Sequence, residues 1–189
     1  MAIETYVQSL TTQHAGGTAQ NTYTTAKSVI NTQALYTLPA DFWTVGRYLE
    51  LNVEAALSNI VTTPGTITFQ VMMGSIVVLT SGAIQLNATA HTLLPVSIDA
   101  RMTCRAVGAG TSANLMGQMW IRGIQPTLTI GQTDAANTSG VFAGPATAPA
   151  VGTGFNSTIA NILDFWVGFS VSDAGNGITI HQYAAKTYI

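Results

Sequence analysis

Hydrophobic and polar residues alternate with a period of two along most of this chain. Residues 94–110 show it clearly. Val96, Ile98, Ala100, Met102, Cys104 and Ala106 fall on one side, and Ser97, Asp99, Arg101, Thr103 and Arg105 on the other. Successive side chains of a strand point to opposite faces, so this pattern predicts one long strand over about 95–107. RYLELNVEAALSN (47–59) repeats it, with Leu49, Leu51, Val53 and Ala55 opposite Tyr48, Glu50, Asn52 and Glu54. Glu, Leu and Ala favour helix, but leucines two apart cannot share a helical stripe.

The same reading extends to both sides. ITFQVMMG (67–74) sets Ile67, Phe69, Val71 and Met73 on one face, and Gly74-Ser75 before IVVLT predicts a two-residue hairpin. AIQLN (83–87) is a short strand. LMGQMWIRG (115–123) is a strand whose central Gly117 marks a bulge or a close backbone approach. NILDFWVGFSVS (161–172) aligns Leu163, Phe165, Val167, Phe169 and Val171, and ITIHQYAAKTYI (178–189) closes the chain. Between them DAGNG (173–177) carries Asn-Gly, a strong hairpin signal. Weaker strand candidates lie at 21–30 and 34–39.

About nine or ten strands with turn signals between them and no convincing helix predict an all-β fold: an antiparallel, jelly-roll-like β-sandwich. Residues 1–20 read as an N-terminal arm, and 21–189 as a single domain. Its long excursion at about 124–160 is rich in Gly, Pro, Ala, Thr and Ser. An excursion of that length calls for a purpose. Val141, Phe142, Val151 and Phe155 punctuate it and are the candidate subunit or capsid interface.

Composition sharpens the picture. The chain has 189 residues, 47% hydrophobic but only 7% charged, with a net charge of −2. Ordinary domains are about 25% charged. A neutral Thr- and Ser-rich surface loses little on dehydration, which suits a subunit that is covered by copies of itself or by partners. Six scattered basic residues make no basic stripe, so no nucleic-acid partner is expected. The uncharged stretch from Ala55 to Ile98 is broken by Pro, Gly and polar residues, so no membrane span is expected. MAIETYVQSL lacks the pattern of a secretory signal.

Candidate chemistry is sparse. His14, His91 and His181 are far apart, with no local metal-ligand spacing. Cys104, the single cysteine, sits on an apolar face and reads as a small buried hydrophobe. Glu50 and Glu54 lie roughly 13 Å apart along one strand. Either could pair with Asp99 as a glycosidase dyad, but cross-strand pairing with Arg47, Arg101 or Arg105 accounts for them more simply. GAGTSANLMG lacks the lysine of a phosphate loop and reads as a hairpin loop. Trp43, Trp120, Trp166 and Tyr48 are candidates for stacking on sugars, with Trp120 and Tyr48 on the polar register of their strands. No catalytic residue, cofactor or metal is expected.

The segments TTPGTITFQVMMGSIVVLTSGAIQLN and PVSIDARMTCRAVGAGTSANLMGQM, within roughly 46–123, resemble virion proteins of tailed bacteriophages. The resemblance rests on the GS hairpin, TSGA at 80–83, MTCRAVG at 102–108 and TSANLMGQ at 111–118. It implies a non-enzymatic structural subunit of the virion: a capsid decoration (cement) protein, or a head or tail fibre module that binds a receptor or glycan. The implied partners are the chain itself, as a homotrimer, and the major capsid or another virion protein. A cell-wall glycosidase and a secreted β protein are the rival readings.

Overall fold

A computed structural model describes residues 6–60, 62–123, 128–129, 141–145 and 149–188. In chain order the strands are β1 (Val7–Thr12), β2 (Gln20–Asn21), β3 (Lys27–Ser28), β4 (Tyr36–Leu38), β5 (Tyr48–Asn59), β6 (Thr66–Met73), β7 (Ile76–Thr80) and β8 (Ile84–Leu86). There follow β9 (His91–Ala106), β10 (Asn114–Gly123), β11 (Leu128–Thr129), β12 (Val141–Gly144), β13 (Ala150–Val151), β14 (Asn161–Phe169) and β15 (Gly177–Tyr188). A 3-10 turn spans Thr32–Ala34.

The strands form two antiparallel sheets. The larger runs β1-β15-β5-β9-β10-β12, with β2 on β15 and β13 on β10. The smaller runs β11-β8-β6-β14-β3, with β4 on β14 and β7 on β6. The protein is a β-sandwich. More strands appear than periodicity predicts because β2, β3, β11 and β13 have only two residues each, too short to carry a pattern.

The apolar registers meet between the sheets. Leu49, Leu51 and Val53 of β5, Ile98, Ala100, Met102 and Cys104 of β9, and Leu115, Met119 and Ile121 of β10 line one side. Ile67, Phe69 and Val71 of β6 and Leu163, Phe165 and Val167 of β14 line the other. Phe69 and Phe165 stack with ring centres 6.1 Å apart. Cys104 is buried in this core. At Gly117 an added Cβ would lie 2.8 Å from Met102 Cγ and 3.2 Å from Leu79 Cδ1 of the opposite sheet. Close sheet approach is therefore its role, and the bulge of this strand pair lies at Asn114/Leu115. The Gly74-Ser75 hairpin forms as expected, Met73 pairing with Ile76 and Gly74 at φ 60°.

Three expectations need correction. DAGNG is no hairpin, because β14 belongs to the smaller sheet and β15 to the larger. Its Asn176 is buried and pins the crossing, donating to the Pro64 and Val171 carbonyls at 2.9 and 3.3 Å and accepting from Ile60 N at 3.1 Å. Turn chemistry specifies a reversal of the chain, not the sheet that the next strand joins.

Where it is described, the arm pairs with the closing strand. β1 pairs with β15 from Val7↔Tyr188 to Thr12↔Ala184. Gly17 N then donates to Ile180 O at 2.8 Å, an approach that leaves no room for a Cβ. Residues 21–30 form short pairings in place of a full strand.

The described parts of the excursion pair with their own chain. β12 and β13 both pair with β10, and Phe155 is 1% exposed, edge-on to Trp43 at 6.1 Å. Phe155 is thus a core residue and leaves the candidate interface. Phe142 is half-buried against the same core. Residues 124–127, 130–140 and 146–148, Asp134 among them, lie outside the described residues.

Candidate recognition face

The polar registers of the larger sheet share its outward face. Antiparallel partners point the same way, so the pairing of β15, β5, β9 and β10 writes rows across it. Lys186, Glu50, Arg101 and Gln118 form one row; Ala184, Asn52, Asp99 and Trp120 form the next; Gln182, Glu54, Ser97 and Arg122 form a third. Arg105 extends the same register of β9. The chain has only six basic and eight acidic residues. Arg101, Arg105, Arg122, Lys186, Glu50, Glu54 and Asp99, half of that total, stand on this one face.

Beyond β10, the pairs Arg122↔Val141, Trp120↔Ala143 and Met116↔Val151 carry the face onto the excursion. Val141 and Val151, 42% and 51% exposed, are therefore an apolar margin beside the charged rows. Sequence periodicity cannot make this junction, because it depends on which strand the excursion joins. Lys186 and Tyr188 were missed for a readable reason. The bulge between Ile180 and Gln182 shifts the register of β15, and the apolar spacing changes from two to three between Ile180 and Tyr183.

The acidic groups are engaged locally. Glu50 Oε2 accepts from the Tyr188 hydroxyl at 2.8 Å, and Glu50 Oε1 from Asn52 Nδ2 at 3.4 Å. Asp99 pairs with Arg122 and accepts from Asn52 Nδ2 at 2.8 Å. Glu54 accepts from Ser97 Oγ at 2.8 Å. The expected ion pairs of Glu50 and Glu54 with Arg47, Arg101 or Arg105 do not form among the described residues, and Arg122 takes Asp99 instead. Tyr188 and Tyr48 cross edge-to-face at 5.1 Å. The Tyr188 phenol is pushed above its ordinary pKa chiefly because it donates to Glu50. Burial raises that of Tyr48, with Arg101 opposing.

A shallow depression of about 400 Å³ opens here, lined by Tyr48, Arg101, Thr103, Arg105, Gln118 and Trp120 among others. Two of the four aromatic candidates thus reach an open surface together. Trp43 is buried, and the Trp166 indole N–H is spent on Asp164 at 2.6 Å. The histidines sit on separate elements, and among the described residues no group of three His, Cys, Asp or Glu side chains could hold a metal ion. A larger depression of about 690 Å³ lies at one end of the sandwich beside Asn59 and His91. The Asn59 amide there ties the carbonyls of Asn87 and Thr89 at 2.6 and 2.9 Å, a structural duty.

No protein-family model matches this chain, and no curated protein matches it. Among solved structures it is similar to the CBM2 module of the evolved Dit of Lactobacillus casei BL23 phage J-1, at 10% identity and TM-score 0.38 over 97% of each chain. It is also similar to a protein of unknown function from Shewanella oneidensis MR-1, at 11% identity and TM-score 0.29, over 97% of this chain and 79% of that one. Similarity at this level assigns no function to this chain.

Proposed function

We propose that this chain is a non-enzymatic structural subunit of a tailed-bacteriophage virion with two working surfaces. The rest of the molecule, where the remaining charges are scattered, attaches it to siblings and to the particle, while the outward face of the larger sheet is presented to a partner. The observation that carries this reading is that half of the few charged residues of the chain stand together on one open face. A solitary protein gains solubility from charge of both signs spread over its surface. Concentrated charge beside half-buried aromatic residues and exposed valines suits a face that meets something specific.

In its finer form the subunit is a capsid decoration (cement) protein that binds the major capsid protein as a homotrimer. Exposed Val45, Val107 and Ile159, 65%, 44% and 52% accessible, support this form. They lie in three loops joined by hydrogen bonds: Gly46 N to Cys104 O at 2.8 Å, and Ser157 N to Gly108 O at 3.0 Å. An apolar loop end of this kind matches a protein surface. The head or tail fibre module, binding a host receptor or glycan, is the second reading. The aromatic-walled depression favours it.

Light scattering on the full chain tests the assembly. A mass of three chains is expected. A species of 19.7 kDa persisting at high concentration contradicts the homotrimer.

A further inference from the structure

The basic and acidic groups of the recognition face are not in the same condition. Glu50, Glu54 and Asp99 all have partners within the chain. Arg101 and Arg105 are exposed, and neither has an ion pair among the described residues, where the one salt bridge is Arg122–Asp99. Arg105 Nη2 donates to the thioether of Met116 at 3.1 Å, a weak acceptor. Arg101 makes no hydrogen bond there, although Glu50 is its direct cross-strand partner. Two guanidinium forks therefore line one depression with most of their donors unspent.

The other lining groups narrow what fits. Thr103, between the two arginines on β9, and Gln118, opposite Arg101 on β10, present a hydroxyl and an amide, also free of hydrogen bonds among the described residues. Tyr48 and Trp120 supply aromatic surface. A volume of about 400 Å³ falls within the range of small-ligand sites, about 300–1,000 Å³. Free guanidinium donors favour carboxylate or phosphate. Hydroxyl and amide groups suit a polyhydroxylated body, and aromatic rings suit its apolar flank. A nucleic-acid backbone fits poorly, since Glu50, Glu54 and Asp99 share the face with the arginines and the chain is net acidic.

We infer that this depression binds an acidic saccharide, a sugar bearing a carboxylate or a phosphate, whose anion is held by Arg101 and Arg105 and whose ring lies against Trp120 or Tyr48. The inference rests on the face being a recognition surface and goes further, since it names the ligand chemistry.

Calorimetric titration of the full chain tests it with four probes. Trigalacturonate and glucose 6-phosphate separate the carboxylate from the phosphate source. Maltotriose is the neutral control and tetraglutamate the acidic non-sugar. At least one acidic sugar is expected to bind about tenfold or more tighter than maltotriose and tetraglutamate, and more weakly at high salt. Arg101→Gln and Arg105→Gln are each expected to weaken it about tenfold without lowering the melting temperature. Binding that ignores both substitutions, equal binding of tetraglutamate, or no binding of either acidic sugar overturns the inference. The homotrimer stands or falls separately on the solution mass, which these substitutions leave unchanged.

Discussion

The outward faces of the two sheets handle charge in opposite ways. On the smaller sheet the outward register of β14 carries one carboxylate, Asp164. It is 7% exposed, next to the 2% exposed Met72 across the pair β14–β6. It accepts from Ser28 Oγ at 2.8 Å, Phe165 N at 2.7 Å and Trp166 Nε1 at 2.6 Å. Every donor belongs to its own chain, and burial raises its pKa above the ordinary carboxylate value, with these three bonds opposing. On the larger sheet Arg101 and Arg105 are exposed and lack any such set of partners. A polar group satisfied at home stabilises the fold, whereas one left open is free to meet a partner. The difference lies in the partners, since both faces are built from the same two-residue alternation.

Substitutions should separate the two conditions. The largest effect is expected from Asp164→Ala, which leaves the buried Phe165 N–H and the Trp166 and Ser28 donors without their acceptor. A loss of about 2–3 kcal/mol in urea denaturation is expected, and a loss near zero would remove the contrast. Next comes a dependence on pH. The folded state holds the Asp164 proton to higher pH than the unfolded chain does. The contribution of this group is therefore complete below about pH 4, and it declines as pH rises through the raised folded value. The wild type should lose stability relative to Asp164→Asn over that interval, and parallel curves would contradict the raised value. Arg122→Ala should cost about 0.2–1 kcal/mol, less in high salt, because its pair with Asp99 is half-exposed. Arg101→Ala should change stability least, by about 0.5 kcal/mol or less. A larger loss would show that Arg101 is structural.

Much of this arrangement was readable from residues alone. The alternation in β5, β9 and β10 assigned inward and outward side chains correctly, and so placed Tyr48, Arg101, Arg105 and Trp120 on one kind of surface. Periodicity carries the face of a strand but not its neighbours. Val141 and Val151 therefore joined the recognition face only once β12 and β13 were seen against β10. Phe155 shows the limit from the other side. In a segment without alternation, a buried aromatic and an exposed one look the same, and only its edge-on packing against Trp43 decides. Asn176-Gly177 misled because a left-handed turn and a buried, carbonyl-pinning asparagine favour the same residue. Asp164 gave no signal because its partner Ser28 lies far along the chain on a strand of only two residues, although Trp166 is two residues along its own strand.

On the proposed function, attachment to the particle and recognition of a partner occupy different surfaces. With the chain read as a virion subunit, co-sedimentation with empty tailed-phage capsids is the test, comparing the wild type with the double variant Arg101→Glu, Arg105→Glu. Both proteins are expected to sediment with capsids to the same extent. Failure of the wild type to sediment, or selective loss by the double variant, would contradict the account.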